Sequence, residues 1–163
     1  LYLCAGRGMA GLPAGPTTRL EAIAGLPLVL PSGRHGLRAL VSQAFQQRGL
    51  TPRVVAEVDG LALLMDVVQL GYAATIQPSS ATARIAPGQL AMARIDDADL
   101  FRPNLLASLS DDELSPAALA ARLVLADVSR TLARDGRWAV TTLHAAGSEA
   151  APFTNHEDPL TPR

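Results

Sequence analysis

A turn between an apolar segment and a helical segment carries the side chains best suited to chemistry in this sequence. The apolar residues 27–31 lead into Ser32, Gly33, Arg34 and His35, after which helical periodicity begins. The first amides of a helix lack intrahelical partners, and the helix dipole is positive there, so such turns attract anions. We therefore expect the turn to hold a carboxylate or similar anion, with Ser32 donating and Arg34 or His35 assisting. The competing interpretation is that Ser32 only caps the helix while the basic side chains face water.

Two further turns follow apolar segments in the same manner. Asp59 follows residues 54–58, and Gln77 with Pro78 follows residues 72–76. Ligands of open α/β sheets bind outside the carboxyl ends of the strands, so we predict that these turns share one pocket with the first turn. Asp59 is also a good N-cap for the helix after it, and Gln77 could instead be an ordinary turn amide.

Signatures of metal binding and of hydrolytic catalysis are missing from the sequence. His35, His144 and His156 are its histidines, and no His-x-x-His, Cys-x-x-Cys or Gly-x-Ser-x-Gly segment occurs. A nucleophile pair of Ser32 and His35 would need an orienting acid, which the sequence does not place. We predict that the chain is not an enzyme and holds neither a metal nor a cofactor.

The elements that position these turns alternate between strand and helix. Residues 27–31, 54–58 and 72–76 have the composition of buried strands. Between the first two, Leu37, Leu40, Val41, Ala44 and Phe45 follow the spacing of an amphipathic helix. A helix between sequential strands favours right-handed crossovers and parallel pairing. The fold class predicted from this pattern is α/β.

Shorter elements surround this unit. We predict strands at 1–5, 89–95 and 105–109 and short helices at 20–24 and 79–85. A longer helix begins with Ser115 as N-cap and Pro116 at the first helical position, and Gly136 ends it. Residues 145–163 lack periodicity, which is typical of a disordered tail.

Composition limits the classes of partner. Hydrophobic residues make up 48% of the 163 residues, more than one small core needs, so we expect an additional apolar partner surface. The net charge is −1 with no basic stripe, which argues against direct contact with DNA. No apolar run is long enough to span a membrane. The chain has one cysteine, Cys4, and starts without methionine, which suggests a reducing compartment and an upstream part that is absent here.

Several phrases of the sequence, in this order, resemble the effector-binding domain of LysR-type transcriptional regulators, and most closely the branch that contains nitrogen-assimilation regulators. The phrases are PLVLPS at 27–32, HGLR at 35–38, EVDGL at 57–61, VVQLGY at 67–72, IQPSSA at 76–81, LSPAA at 114–118 and GRW at 136–138. The resemblance implies a Rossmann-like lobe of the periplasmic-binding-protein type II fold, with a parallel-dominated sheet, plus the C-terminal part of a second lobe.

The resemblance also implies an organisation. Residues 1–97 would form effector-binding lobe II with the first crossover strand, 98–140 the second crossover and the last helix of lobe I, and 141–163 a disordered tail. Asn104 would lie on the hinge side of the cleft. Such regulators are cytoplasmic dimers or tetramers, and they contact DNA only through an N-terminal helix-turn-helix domain, which this sequence lacks.

The resulting prediction is an effector-sensing domain that binds a small, anionic metabolite between two lobes and couples it to transcription. Where the family tends to have Leu-Pro after the third strand, this chain has Gln77-Pro78, which would change the choice of effector rather than the fold. One alternative is a solute-binding protein of a transport system with the same fold, and another is a degenerate fragment without function.

Overall fold

The computed structural model describes residues 1–97 and 100–138, which belong to two compact units, Leu1–Ser108 and Leu109–Arg163. The first unit holds the strands and most of the helices. Its strands are β1 (Tyr2–Gly6), β2 (Thr17–Thr18), β3 (Leu28–Leu30), β4 (Val54–Glu57), β5 (Thr75–Gln77) and β6 (Leu90–Ile95). Its α-helices are α1 (Leu20–Ile23), α2 (Gly36–Gln47) and α3 (Leu61–Gln69), followed by a 3-10 turn, Ser79–Thr82. The second unit contributes α4 (Pro116–Arg134).

The strands form a mixed arrangement in which the three strands predicted at 27–31, 54–58 and 72–76 run parallel. β3 pairs with β4 in parallel, and a parallel bridge between Leu28 and Ala74 joins β3 to the segment that leads into β5. β1 lies antiparallel between β5 and β6, and the short β2 adds to β6 in parallel. Because β3, β4 and β5 point the same way, the turns that follow them emerge at one edge of the sheet.

Helices cover both faces of β1, β3 and β5, whereas β4 at the edge is largely exposed, so the prediction of a buried strand at 54–58 is wrong in its burial. Along β1, Leu3 and Ala5 belong to one buried cluster, whereas Cys4 between them belongs to the other. This alternation follows from the strand period of two, with both faces buried. Helix α2 packs on the first face and α3 on the second. The α/β fold class is confirmed, with the layers helix, sheet and helix.

The helix predictions hold because apolar spacing and stop residues agree. Helix α2 buries four apolar side chains of its predicted face, Leu37, Val41, Ala44 and Phe45. It ends before Gly49, whose φ of 65° suits the left-handed residue after a helix. In α4, the Ser115 hydroxyl accepts from the N–H of Ala118 at 3.2 Å, and Pro116 follows it as predicted.

Two strand predictions are wrong at their position or length. Residues 105–109 have no regular secondary structure, and Leu105 and Leu109 are 62% and 61% exposed. A strand needs backbone partners, and no described strand pairs with this segment. The third strand begins at Thr75 rather than at Tyr72, which is 74% exposed. The predicted tail, 141–163, lies outside the described residues.

A glycine pattern begins at the last residue of β1. Residues 6–11 read Gly-x-Gly-x-x-Gly, the spacing of a dinucleotide-binding turn. Here the loop leads to β2 instead of directly into a helix, so the helix N-terminus that would hold a pyrophosphate is absent from this turn. Gly6 has a packing role, because a Cβ there would lie 2.9 Å from the carbonyl oxygen of Val68 at the end of α3.

Candidate functional site

A cavity of about 240 Å³ opens at the edge of the sheet where β3, β4 and β5 end. Each of the three strand ends supplies part of its wall. Pro31 lies directly after β3 and Asp59 lies after β4. Gln77 is the last residue of β5, and Pro78 follows it. The structure therefore brings the three predicted turns to one place, as parallel strands require.

The turns after β3 and β4 are joined by a hydrogen bond. The backbone N–H of Ser32 donates to Oδ1 of Asp59 at 2.9 Å. This bond, a second one from the Ser32 side chain, and the nearby charges of His35 and Arg34 lower the pKa of Asp59 below its usual value of 3.8. The anion that Ser32 was predicted to bind is thus replaced, in this structure, by a carboxylate of the chain itself.

Asp59 does not have the capping role considered for it. Gly60 is the N-cap of α3, and no side chain of the described residues caps that helix. The reason is that the Asp59 carboxylate points to Ser32 on the neighbouring turn instead of to its own helix.

The side chain of His35, and not that of Ser32, caps α2. Nδ1 of His35 accepts from the N–H of Leu37 at 3.2 Å. A ring nitrogen that accepts carries no hydrogen, so the neutral ring has its hydrogen on Nε2. His35 also lines the cavity, so Nε2–H is its remaining polar group for a ligand.

Gln77 is the most buried polar residue of the cavity wall. It is only 4% exposed, and it lines the cavity. Its side-chain amide has no hydrogen-bond partner among the residues that the structure describes. The amide is not among the fully buried polar groups that lack a partner, so its polar atoms face the open cavity rather than the core. A polar ligand in the cavity can therefore form hydrogen bonds with it directly.

Arg102 lines the same cavity, and the sequence predictions missed it. They placed Asn104 there instead, two residues further along. No local pattern marks Arg102, since it lies in a segment without regular structure after β6. Gly33, Arg34 and Asn104 are exposed and do not line the cavity, so their contact with a ligand stays a prediction.

An arginine clamp behind the turns was also missed. Nη1 of Arg38 lies 2.8 Å from Oε1 of Glu57, and its Nε donates to the hydroxyl of Ser42 at 3.2 Å. Nη1 also reaches the carbonyl oxygen of Pro31 at 3.4 Å. One side chain on α2 therefore fixes the ends of β3 and β4, from which Ser32 and Asp59 extend.

The described residues contain neither a candidate metal site nor a candidate membrane span. No group of three or more His, Cys, Asp or Glu side chains there could hold a metal ion. Within the same residues, no helix combines the length and apolar character that crossing a bilayer requires.

Comparison with known proteins places this geometry in a family. The family model for the LysR substrate binding domain matches residues 1–130. The nitrogen assimilation regulatory protein nac of Klebsiella aerogenes is 30% identical over 112 residues, which cover 68% of this chain and 37% of that protein. The protein of the same name from Escherichia coli (strain K12) is 30% identical over 127 residues, covering 76% of this chain and 41% of that one.

Solved structures share the fold. The effector binding domain of QuiR in complex with shikimate superposes with a TM-score of 0.60 at 18% identity, covering 80% of this chain and 61% of that chain. The LysR family transcriptional regulator CbnR gives a TM-score of 0.51 at 27% identity, covering 60% and 34%. The chain spans less than half the length of the curated relatives that it matches. With the family model matching residues 1–130, this chain belongs to the LysR substrate-binding-domain family.

Proposed function

We propose that this chain is the effector-sensing part of a LysR-type transcriptional regulator and that the effector binds in the cavity at the ends of β3, β4 and β5. The observation that carries the proposal is Gln77, a residue only 4% exposed whose side-chain amide faces this cavity and makes no hydrogen bond to another described residue. A structural amide at this depth would be expected to have a hydrogen bond within the protein. The matched regulators favour a sensing role over the transport-associated alternative.

The effector of this proposal is small and carries an anionic group. The cavity volume is roughly eight times the share of one water molecule in the liquid, which admits a small metabolite. We place the anionic group against Arg102 and Nε2–H of His35, both in the cavity wall. Ser32 then acts through its bond to Asp59, which fixes the turn. That the neighbour QuiR was solved with shikimate supports a small-molecule effector for this fold.

Effector binding controls transcription, in this proposal, by selecting one arrangement of the two lobes. A ligand shifts a conformational equilibrium only through its different affinities for the two states. The shift would reposition DNA-binding domains in a dimeric or tetrameric regulator in the cytoplasm, which contacts DNA through a domain outside this sequence. Sedimentation of the parent regulator as a strict monomer would contradict this part of the proposal.

Binding of small acids to the full chain tests the location of the site. Thermal-shift and calorimetric titration with a panel of small carboxylic acids should identify binders. We expect Arg102→Ala and Gln77→Ala each to weaken their binding about tenfold or more. Arg53→Ala is the matched control, since Arg53 is an exposed arginine just before β4, at the strand end away from the cavity. Binding unchanged in both cavity variants would refute this site.

A further inference from the structure

We propose that the effector is dipolar: a small acid that also carries a hydroxyl or ammonium group, with the acid at Arg102 and the donor at Asp59. This inference rests on the proposed function, because it takes the cavity to be the effector site. It adds the chemical class of the ligand, and it assigns to Asp59 the selection of a hydrogen-bond donor.

The charges of the cavity wall are balanced. Among the described residues that line the cavity, Asp59 and Arg102 are the two with a formal charge at neutral pH. They belong to different segments, the turn after β4 and the chain after β6. A ligand with only an acid group would pair with Arg102 but would leave Asp59 facing a second anion, which is unfavourable. A ligand that also carries a hydrogen-bond donor could pair with both Arg102 and Asp59.

Asp59 keeps the capacity to accept from a ligand. An ionised carboxylate has two oxygens and about four acceptor positions, and the Ser32 N–H occupies a position on Oδ1. The bonds from Ser32 also keep the carboxylate ionised by lowering its pKa, so it accepts and does not donate at neutral pH. Its position is fixed before the ligand arrives, which reduces the entropy lost on binding.

Gln77 favours the same class of ligand. Its amide offers both donors and an acceptor, and it is 4% exposed in the cavity wall. A purely apolar ligand would bury it further without a partner, at a cost in affinity. The apolar part of the wall, to which Val58, Leu61 and Leu64 contribute, suits the carbon skeleton between the polar groups of the ligand.

The test compares matched acids that differ only in the donor. The full chain is titrated calorimetrically with butanoate, cyclohexanecarboxylate and benzoate, and with the hydroxy and amino derivatives of each. We expect at least one hydroxy or amino acid to bind about tenfold more tightly than its parent acid, since a site built to bond a donor discriminates against its absence. Asp59→Asn should remove that preference, because the remaining oxygen can still accept from the Ser32 N–H while an uncharged, donating NH2 group replaces the second carboxylate oxygen.

Two further variants separate the effects. Asp66→Asn removes a carboxylate from an exposed position on α3 that does not line the cavity, and the preference should persist in it. Arg102→Gln should weaken the acids but not the corresponding neutral amides, which would show that the acid end lies at Arg102.

Each outcome decides between the two proposals. If parent acids bind as tightly as their derivatives and Arg102→Ala weakens all of them, the dipolar ligand is refuted while the proposed site stands. If the preference exists but survives Asp59→Asn, the role of Asp59 is refuted. If no compound of the series binds at millimolar concentration, the dipolar-acid proposal and the proposed function both fail.

Discussion

The Ser32 N–H and Oδ1 of Asp59 lie 2.9 Å apart, and the hydrogen bond between them joins two turns separated by 27 residues in sequence. Each turn follows a parallel strand, so the bond fixes the spacing of two walls of the cavity. The Asp59 carboxylate thereby accepts from the backbone N–H of Ser32, in the turn that was predicted to bind the anionic group of a ligand. The site is preorganised by its own residues before an effector binds.

This bond predicts a dependence of stability on pH. The folded pKa of Asp59 lies below the unfolded value of about 3.8, so the ionised carboxylate stabilises the folded chain above that pH. The stabilisation is lost as the pH falls through the folded pKa. Denaturant unfolding at several pH values should show a smaller acid-side loss of the free energy of unfolding in Asp59→Asn than in the wild type. The control Asp66→Asn should follow the wild type, and identical pH profiles for all three proteins would contradict the prediction.

Local patterns predicted the elements but not the contacts between them. The period of α2 and the stop at Gly49 are encoded within a few residues, and the structure reproduces both. The Ser32–Asp59 bond and the place of Arg102 depend on how distant segments meet, which no local spacing records. The prediction for residues 105–109 fails for the opposite reason: their composition favours a strand, but no described strand pairs with them.

The ion pair between Arg38 and Glu57 should contribute measurably to the free energy of unfolding. Their side chains are 19% and 50% exposed and lie 2.8 Å apart, so solvent screens the ion pair only in part. A double-mutant cycle with Arg38→Ala and Glu57→Ala should give a coupling energy of about 0.5–1 kcal/mol in the free energy of unfolding. Raised salt should reduce it. A coupling energy of zero at low salt would show that the pair does not hold the strand ends.

The Gln77 amide should matter more for ligand binding than for the stability of the ligand-free chain. Gln77→Met keeps a side chain of similar length and removes the amide that faces the cavity. Because this amide is not a fully buried group without a partner, we expect the free energy of unfolding without ligand to change by less than about 1 kcal/mol. Affinity for any acid that binds the wild type should fall. A variant that is less stable and binds normally would contradict the role of this amide.

The hydroxyl of Thr75 should be dispensable for folding. Oγ1 of Thr75 is buried on β5, and it has no hydrogen-bond partner in the part of the chain that the structure describes. Thr75→Val replaces this hydroxyl by a methyl group of similar size and should raise the free energy of unfolding by about 1 kcal/mol. Thr75→Ser keeps the hydroxyl but loses a buried methyl group, so it should be less stable than the wild type. Equal stability of the Val and Ser variants would contradict this reasoning.

Cys4 should resist alkylation as long as the chain is folded. Cys4 lies on β1 opposite Thr75 of β5, and its side chain is fully buried. Burial raises the pKa of the thiol from 9.0 to about 12. Only the thiolate reacts, so iodoacetamide should modify Cys4 no faster than the chain unfolds. Above pH 9.0 the thiol stays protonated in the folded chain but becomes ionised in the unfolded chain. The free energy of unfolding should therefore fall as the pH rises from 9.0 towards about 12. Cys4→Ala should lack this component of the fall, and rapid alkylation in native buffer would show that β1 is accessible and that the central strand is not protected.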